Sequence, residues 1–412
     1  MPTISTISTI RKPLGFSATV STYAAMSGVV VLFGVAAADA SLLLAPSVGV
    51  PDLATAGTFL GRPATPDGAL FMNPAGLVGF ETTTYAGAFG IIAPHTEVDS
   101  DLVGYDKSDQ RIGFNPSGGV SVPLAPDWRF GAGFYGSVGT VFDFEAESPA
   151  VSSDFVSDVA IAGAPLALAY EVSSRLWLGA ELLPLFGYLR NRFPLPDPGS
   201  GTSIPIEYTL RGPGIQALFG VSYHPSDRWS LGASARTPGM IWMDGSTVLA
   251  GERVDVDCEV QMPTVLWAGA TRRFGERFDL SASVRWTDSS TFGESKVEFS
   301  SVSLPFVPDA KDEWRFAIGS DYRWNERLTL RGGLAYASRI VGNKAVSPLL
   351  FDTEDIKLGV GASYELGAWS LHTMVGHAFE GERNVSPDDA LIFPGEYRAS
   401  GPVFMLGFTY AR

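Results

Sequence analysis

The sequence predicts an all-β protein: a 14-stranded antiparallel transmembrane β-barrel with an N-terminal hatch, or plug, inside the lumen. Three observations predict this fold. Residues 80–412 contain segments in which apolar and polar side chains alternate with period two, as in strands whose two faces meet different surroundings. Long and short connections alternate between these segments. After residue 40 there is no uncharged apolar run of about 18 residues, which a membrane-spanning helix would require.

The alternation is clearest in residues 327–339, where one face is apolar and the other is polar or small. The apolar face carries Leu328, Leu330, Gly332, Leu334 and Tyr336, and the opposite face carries Thr329, Arg331, Gly333, Ala335, Ala337 and Arg339. Residues 278–287 repeat the pattern. A soluble β-sandwich or propeller would alternate in the same way, so the connections between the strands must distinguish these folds.

The connections favour a membrane barrel, because such barrels have tight periplasmic turns and longer external loops. Seven loops and six turns join fourteen strands and leave both ends of the barrel on the periplasmic side. Such a sheet must close, since hydrocarbon offers no water to a free strand edge. The short turns are residues 125–127, 173–174, 225–227, 275–276, 325–326 and 367–368, and the loops are near residues 93–111, 142–156, 190–203, 246–252, 300–311, 341–353 and 381–397.

Aromatic residues stand beside the short turns, where amphipathic rings would form a girdle at the membrane interface. The predicted girdle residues are Trp128, Trp177, Trp229, Phe278, Trp324 and Trp369.

The charge and the cysteine content exclude two classes of protein. The formal net charge of −15 argues against nucleic acid as a partner, because phosphate binding needs clustered Lys and Arg. The single cysteine, Cys258, cannot form an internal disulfide, which excludes a disulfide-stapled scaffold. We expect the acidic groups to lie in solvated loops.

Residues 1–40 have the pattern of a cleaved signal peptide. Arg11 and Lys12 give a positive start, residues 24–38 are apolar, and Ala38, Asp39 and Ala40 form a small-x-small cleavage site. An uncleaved membrane anchor is the alternative, but the apolar stretch is short for spanning a bilayer. The pattern predicts export to the outer membrane of a Gram-negative bacterium.

Residues 41–79 do not alternate and are rich in Ala, Gly, Pro and Leu, so we expect them to fold into the lumen of the barrel formed by residues 80–412. Residues 67–77, DGALFMNPAGL, follow AGTFLGR at residues 56–62. This combination resembles the N-terminal hatch signature of FadL-like outer-membrane transporters of fatty acids and aromatic hydrocarbons. Its motif residues are Asp67, Asn73, Pro74 and Ala75. Residues 261–288 and 311–338 resemble the barrel of the same family.

The resemblance implies passive uptake of hydrophobic small molecules, namely long-chain fatty acids or hydrocarbons. Ligand would be captured at the extracellular loops and passed through the hatch-plugged lumen to a lateral opening at a kink in the third strand. The candidate strand, residues 128–141, carries Gly131, Gly133, Gly136 and Gly139, and glycine weakens strand pairing and permits bulges. These glycines could equally line a crowded lumen. We expect a monomer without a cofactor, whose partners are the ligand, outer-membrane lipids with lipopolysaccharide, and the outer-membrane assembly machinery.

A carboxylate-bearing ligand needs an apolar groove and a cation. Around the third external loop, Phe186, Tyr188 and Phe193 accompany Arg190 and Arg192, although the rings could instead belong to the membrane-facing girdle. A second candidate set faces the lumen, where ion pairing with Asp279, Asp321 or hatch acids is an alternative to ligand binding. That set is Arg285, Arg315 and Arg331.

The sequence gives little support to an enzyme or to a metal site. It has no Gly-x-Ser-x-Gly elbow, no phosphate-binding loop and no His-Glu-x-x-His motif. The four histidines include His372 and His377, which would point to opposite faces of one strand and cannot share a metal. A barrel lipase is therefore a minor alternative. A general porin or a structural barrel is the more serious one, although a hatch would block the open lumen of a porin.

Overall fold

A computed structural model describes residues 47–100, 104–108, 112–145, 154–196, 203–249, 251–299, 302–305, 307, 309–390 and 393–412. The predicted signal peptide, residues 1–40, lies outside the described residues, as do the first six residues of the predicted hatch. Among the residues described, no helix is long and apolar enough to cross a membrane.

The helices are short and most belong to the N-terminal segment. Helix α1 spans Val50–Ala54 and α2 spans Pro66–Met72, followed directly by a 3₁₀ turn at Pro74–Gly79. Each of the last two begins with a proline after a capping side chain: Thr65 accepts a hydrogen bond from Gly68 N, and Asn73 from Ala75 N. Two further 3₁₀ turns, Ser289–Glu294 and Asn343–Ala345, lie in loops.

The described residues form 21 strand segments in one antiparallel sheet. They are β1 Thr84–Ile92, β2 His95–Ser100, β3 Gly104–Lys107, β4 Gly113–Ala125, β5 Trp128–Phe144, β6 Phe155–Gly163, β7 Leu166–Ser173, β8 Leu176–Pro196, β9 Ser203–Ser226, β10 Trp229–Arg236, β11 Gly239–Leu249, β12 Glu252–Met262, β13 Val265–Phe274, β14 Phe278–Thr287, β15 Lys296–Phe299, β16 Val302–Pro305, β17 Glu313–Arg323, β18 Leu328–Ala337, β19 Asp355–Leu366, β20 Trp369–Val385 and β21 Gly395–Ala411.

These segments make fourteen barrel strands, several of which are interrupted. Strands one to fourteen are β1 with β2, β3 with β4, β5, β6 with β7, β8, β9, β10 with β11, β12 with β13, β14 with β15, β16 with β17, β18, β19, β20 and β21. Each pairs with its neighbours along the chain, and the sheet closes because β1 pairs with β21 from Thr84 opposite Ala411 to Ile92 opposite Val403. The predicted 14-stranded antiparallel barrel is confirmed.

The two faces of the wall differ as the alternation predicts. On β17, Trp314, Phe316 and Ile318 are exposed on the outer face, whereas Arg315 between them is buried on the inner face. The outer face is therefore an apolar belt suited to lipid. The girdle prediction holds for Trp128, Trp229, Trp324 and Trp369, which are all exposed.

Trp177 was wrongly assigned to that girdle. It is 8% exposed and lies on the inner face, beside His224, because it is the second residue of β8 and odd-numbered positions of that strand point inward. Two loop predictions were also too wide. β8 continues to Pro196, and β11 runs to Leu249 with only two residues before β12, since neighbouring strands keep pairing there.

Candidate functional site: the barrel lumen

Residues 47–80 lie against the inner face of the wall and are almost entirely buried. Asn73 provides the densest set of contacts. Its Nδ2 donates to Leu60 O at 2.8 Å within the segment, and to Val221 O at 3.0 Å and Ser222 Oγ at 3.1 Å on β9. One amide thus fixes both the fold of the segment and its position on the wall.

Other polar contacts hold the same segment at separate points around the barrel. Arg236 Nη2 donates to Phe71 O at 3.0 Å, and its guanidinium lies 5.1 Å from the Phe71 ring centroid. Ser281 Oγ donates to Thr58 O at 2.7 Å. Arg129 Nε donates to Phe80 O at 3.0 Å. The arginine bonds provide donors for the Phe71 and Phe80 carbonyl groups, and Thr58 O also accepts a hydrogen bond from Leu60 N at 3.0 Å.

Glycines in the wall allow the segment to come this close. A Cβ at Gly179 on β8 would clash with Ala75 N, and one at Gly220 on β9 would clash with Asn73 Oδ1. The Asn73 turn therefore fits the wall only where the wall has no side chain.

The segment contains two neighbouring carboxyl groups in its interior. Asp52 accepts hydrogen bonds from Ala64 N and from Thr65 Oγ1, both at 2.9 Å, and Asp67 accepts one from Ser117 Oγ on β4 at 2.7 Å. Burial raises the pKa of Asp52 to about 7, and the charge of Asp67 acts in the same direction.

A contiguous apolar cluster continues from this segment through the lumen to the loop end of the barrel. It begins with Leu70 and Phe71 and includes inward residues such as Leu189. At the loop end, the ring centroid of Phe351 lies 5.0 Å from the ring centroid of Phe142 and 5.0 Å from that of Tyr397. A hydrophobic molecule would lose little on leaving lipid for this cluster, which lies beside charged side chains that also face the lumen.

Three arginines predicted to face the lumen do so, with different partners. Arg285 is 2% exposed and pairs with Glu313 at 3.0 Å. Arg331 pairs with Asp321 at 3.2 Å, as one alternative expected. Arg315 is 3% exposed, and its Nε and Nη1 have no hydrogen-bond partner among the residues described. Of the three, Arg315 is the cation whose charge the described chain leaves uncompensated.

The loop set does not form one groove. These residues lie on strand β8 rather than in a loop, and alternation divides them between its faces. Arg190 pairs with Glu207 at 2.8 Å and lies 3.7 Å from Asp158, and Arg192 is 3.6 Å from Asp154. Phe186 and Tyr188 share the face of these arginines, whereas Phe193 packs on the lumenal cluster.

The glycines of the third strand are divided between the two expected roles. Gly131 and Gly133 face the plug: an added Cβ would lie 2.6 Å from Leu77 Cδ1 at Gly131 and 2.8 Å from Leu70 Cδ1 at Gly133. Between Gly136 and Val138 the pairing of β5 with β6 shifts register, as a bulge requires. Pairing resumes at Val138 opposite Ile161, and Gly139 follows in register opposite Ala160.

Two buried polar contacts were missed by the sequence analysis. Arg383 donates to Asp352 Oδ1 at 2.7 Å and anchors the loop before β19. Gln216 Nε2 donates to the carbonyl groups of Thr237 and Pro263, which belong to two neighbouring barrel strands. Neither has a local signature, because the partners come from distant parts of the chain. Among the residues described, no group of three or more His, Cys, Asp or Glu side chains could hold a metal ion.

Comparison with solved structures supports the barrel fold. The structure is similar to that of a Pseudomonas aeruginosa FadL homologue, with a TM-score of 0.79 at 17% identity over 90% of this chain and 99% of that one. It is also similar to the P. putida toluene transporter TodX, with a TM-score of 0.73 at 18% identity over 89% and 99% of the two chains. For the Ralstonia pickettii toluene transporter TbuX the TM-score is 0.70, at 19% identity over 89% and 98%. These structures show the fold.

The closed barrel is that of an outer-membrane channel for hydrophobic substrates, and the proteins that it resembles are transporters and channels rather than enzymes. Residues 213–410 match the family described as outer membrane protein transport protein (OMPP1/FadL/TodX). This match confirms the resemblance to FadL-like transporters that the motifs indicated. A search of curated protein sequences found no match.

Proposed function

We propose that the protein takes up hydrophobic small molecules passively, with residues 41–79 acting as a hatch that stops ions and water. Ligand is captured at the loop end, where lipopolysaccharide surrounds the barrel, and leaves sideways near the third-strand bulge. The continuous apolar cluster from Phe71 to Phe351 carries the proposal, because a hydrated pore would instead be lined by polar groups. We also propose that the barrel is a monomer inserted by the outer-membrane assembly machinery.

The test is uptake by Gram-negative cells in which this chain is the sole member of its family. We expect radiolabelled oleate or toluene to enter faster than in cells with empty vector, and the purified protein to be nearly silent in planar bilayers. Large steady ion currents without uptake would instead identify a general porin. A phospholipase assay on the purified protein tests the barrel lipase.

We further propose that long-chain fatty acids, rather than hydrocarbons alone, are substrates, and that Arg315 binds their carboxylate. Arg315 supports this proposal because it is buried and its Nε and Nη1 have no hydrogen-bond partner in the described chain. A ligand carboxylate would bring the opposite charge that stabilises a buried cation. Arg190 is less suited to bind a ligand carboxylate, because it already forms an ion pair with Glu207.

Arg315→Met should weaken oleate binding to the purified protein roughly tenfold, the effect of losing one charge-assisted hydrogen bond, and leave toluene binding unchanged. Arg190→Met is the matched control and should affect neither ligand. An equal loss for oleate and toluene would mean that Arg315 supports the lumen without recognising a carboxylate.

A further inference from the structure

The seventh and eighth barrel strands are interrupted at the same level. β10 ends at Arg236 and β11 begins at Gly239, while β12 ends at Met262 and β13 begins at Val265. Arg236 pairs with Val265 and Gly239 with Met262, so two residues on each strand face each other without strand pairing. Each pair contains a proline, Pro238 or Pro263, which cannot donate a backbone hydrogen bond.

A side chain closes this gap. Gln216 on β9 is 3% exposed and reaches across the seventh strand, where its Nε2 donates to Thr237 O at 2.7 Å and to Pro263 O at 3.0 Å. In the described chain, no backbone hydrogen bond joins residues 237–238 to residues 263–264. Gly239 leaves room for this reach, because a Cβ there would lie 3.0 Å from Gln216 Cβ and 2.6 Å from Ile215 O.

The third and fourth strands have a gap of the same size that is closed differently. Ala132 pairs with Leu166 and Tyr135 with Gly163, so again two residues on each side lack strand pairing. There a backbone bond crosses the gap, from Gly133 N to Pro165 O at 3.1 Å. The contrast matters because a side chain can rotate away by changing rotamer, whereas a backbone bond breaks only if the strand moves.

Cavities lie back to back on the two sides of the wall beside the Gln216 gap. The inner one, the hatch cavity, is a small void of about 10 Å³ lined by Phe71 of the hatch together with Leu218, Arg236 and Val265. The outer one is an apolar groove of about 800 Å³ on the lipid-facing surface. Its lining includes Phe219, Ala235, Leu266, Trp286 and Trp314. Residues 218 and 219, 235 and 236, and 265 and 266 are neighbours on three strands, so one thickness of sheet separates hatch cavity from lipid.

We propose that this gap is a second lateral passage through the wall, closed by Gln216, for hydrophobic compounds moving between lumen and lipid. The inference rests on the proposed function, since it gives that transport an additional route. When the amide rotates away, the carbonyl groups of Thr237 and Pro263 lose their side-chain donor, and the wall between the hatch cavity and the outer groove is loosened. Apolar surface on both sides offers the compound continuous contact during the crossing. The Gln216 amide is thus the gate, and the outer groove receives the compound.

The test combines an opening and a blocking substitution in the cells described above, with radiolabelled oleate as the probe. Gln216→Ala removes two hydrogen bonds across the gap and should raise uptake roughly fivefold, if about one net hydrogen bond holds the gate closed. Adding Ala235→Trp, which fills the outer groove from the lipid side, should abolish the gain. A route down the barrel axis would not respond to a residue that faces lipid.

Two matched controls accompany these variants. Ala270→Trp places the same ring on the same outer face but outside the groove, and it should leave the gain intact. Thr247→Val removes a side-chain bond to a carbonyl, Glu207 O, elsewhere on the seventh strand and should not raise uptake. Heat-dependent migration of the barrel on gels verifies folding. If Gln216→Ala does not accumulate, Gln216→Asn, whose shorter amide cannot reach both carbonyls, replaces it.

Unchanged uptake in a folded Gln216 variant would overturn the inference, and so would a gain that survives Ala235→Trp. Failure of the proposed function looks different, because the unsubstituted chain would then take up oleate no faster than empty vector.

Discussion

On the hatch side of the lumen, residues 47–80 are held against the wall by hydrogen bonds, and glycines in the wall let their backbone come close. On the loop side, the interior is filled with aromatic rings. Asn73 alone makes three donor contacts on the hatch side. On the loop side, Phe155 meets Phe393 edge to face at 5.5 Å, and Phe351 stacks between its neighbours. Directional bonds specify one position, while apolar packing tolerates exchange of one hydrophobic group for another. The loop side is therefore suited to hold varied ligands, and the hatch side to hold a plug.

The largest expected effect follows from the glycine contacts. Gly179→Val puts a branched side chain where Ala75 N now lies, so the hatch must leave its seat. We expect the variant to conduct ions steadily in planar bilayers, in contrast to the near silence expected of the parent chain. Gly332→Val is the control, because a Cβ there meets only Gly359 O at 3.9 Å. Silence in the Gly179 variant would mean that the hatch side is as tolerant as the loop side.

Asn73→Leu should loosen the hatch without forcing it out. It removes the bonds to Leu60 O, Val221 O and Ser222 Oγ, and it leaves the Leu60 carbonyl buried and unpaired, at a cost of about 1–3 kcal/mol. We expect proteolysis of residues 47–80 in the folded barrel to accelerate by roughly tenfold or more. Asn384→Leu, at an exposed loop-side position, should have no such effect. Equal resistance to proteolysis in both variants would show that the Asn73 amide is not needed to hold the hatch against the wall.

The features that depend on local sequence pattern could be predicted. Period-two alternation and turn residues were sufficient to predict fourteen strands, and Arg331 with Asp321 could be expected because both face the lumen. Contacts set by barrel closure could not be predicted in this way. Ser281 and Thr58 are 223 positions apart, and the pairing of Arg190 with Glu207 depends on how far β8 and β9 extend above the membrane. Strand register and strand length determine these contacts, and a short stretch of the sequence specifies neither.

The hatch side should respond to pH through Asp52. Its pKa is about 7 in the folded protein against 3.8 for a free carboxyl group, so the folded hatch holds a proton that the unfolded segment releases. The free energy that holds the folded hatch against the wall therefore decreases as pH rises from about 4 to about 7, by at most roughly 1.4 kcal/mol per pH unit. Above that range it is constant.

Hydrogen exchange of residues 47–80, corrected for intrinsic rates, checks this expectation. We expect more frequent opening at pH 8 than at pH 5.5, and Asp52→Asn should remove the difference because its side chain does not titrate. Asp127→Asn, in an exposed turn, should retain it. A pH dependence that persists in the Asp52 variant would place the titrating group elsewhere.

The smallest effect is expected on the loop side. Phe351→Leu keeps the site apolar and nearly the same size, so it should cost less than about 1.5 kcal/mol and leave oleate uptake close to that of the parent chain. Phe351→Asp, in contrast, buries a charge among Phe142, Phe144 and Tyr397 and should reduce uptake strongly. If the leucine variant lost uptake as completely as the aspartate variant, ring geometry rather than apolar volume would control the loop side. The two sides of the lumen would then both depend on exact fit, and tolerance of varied ligands would have to arise elsewhere in the barrel.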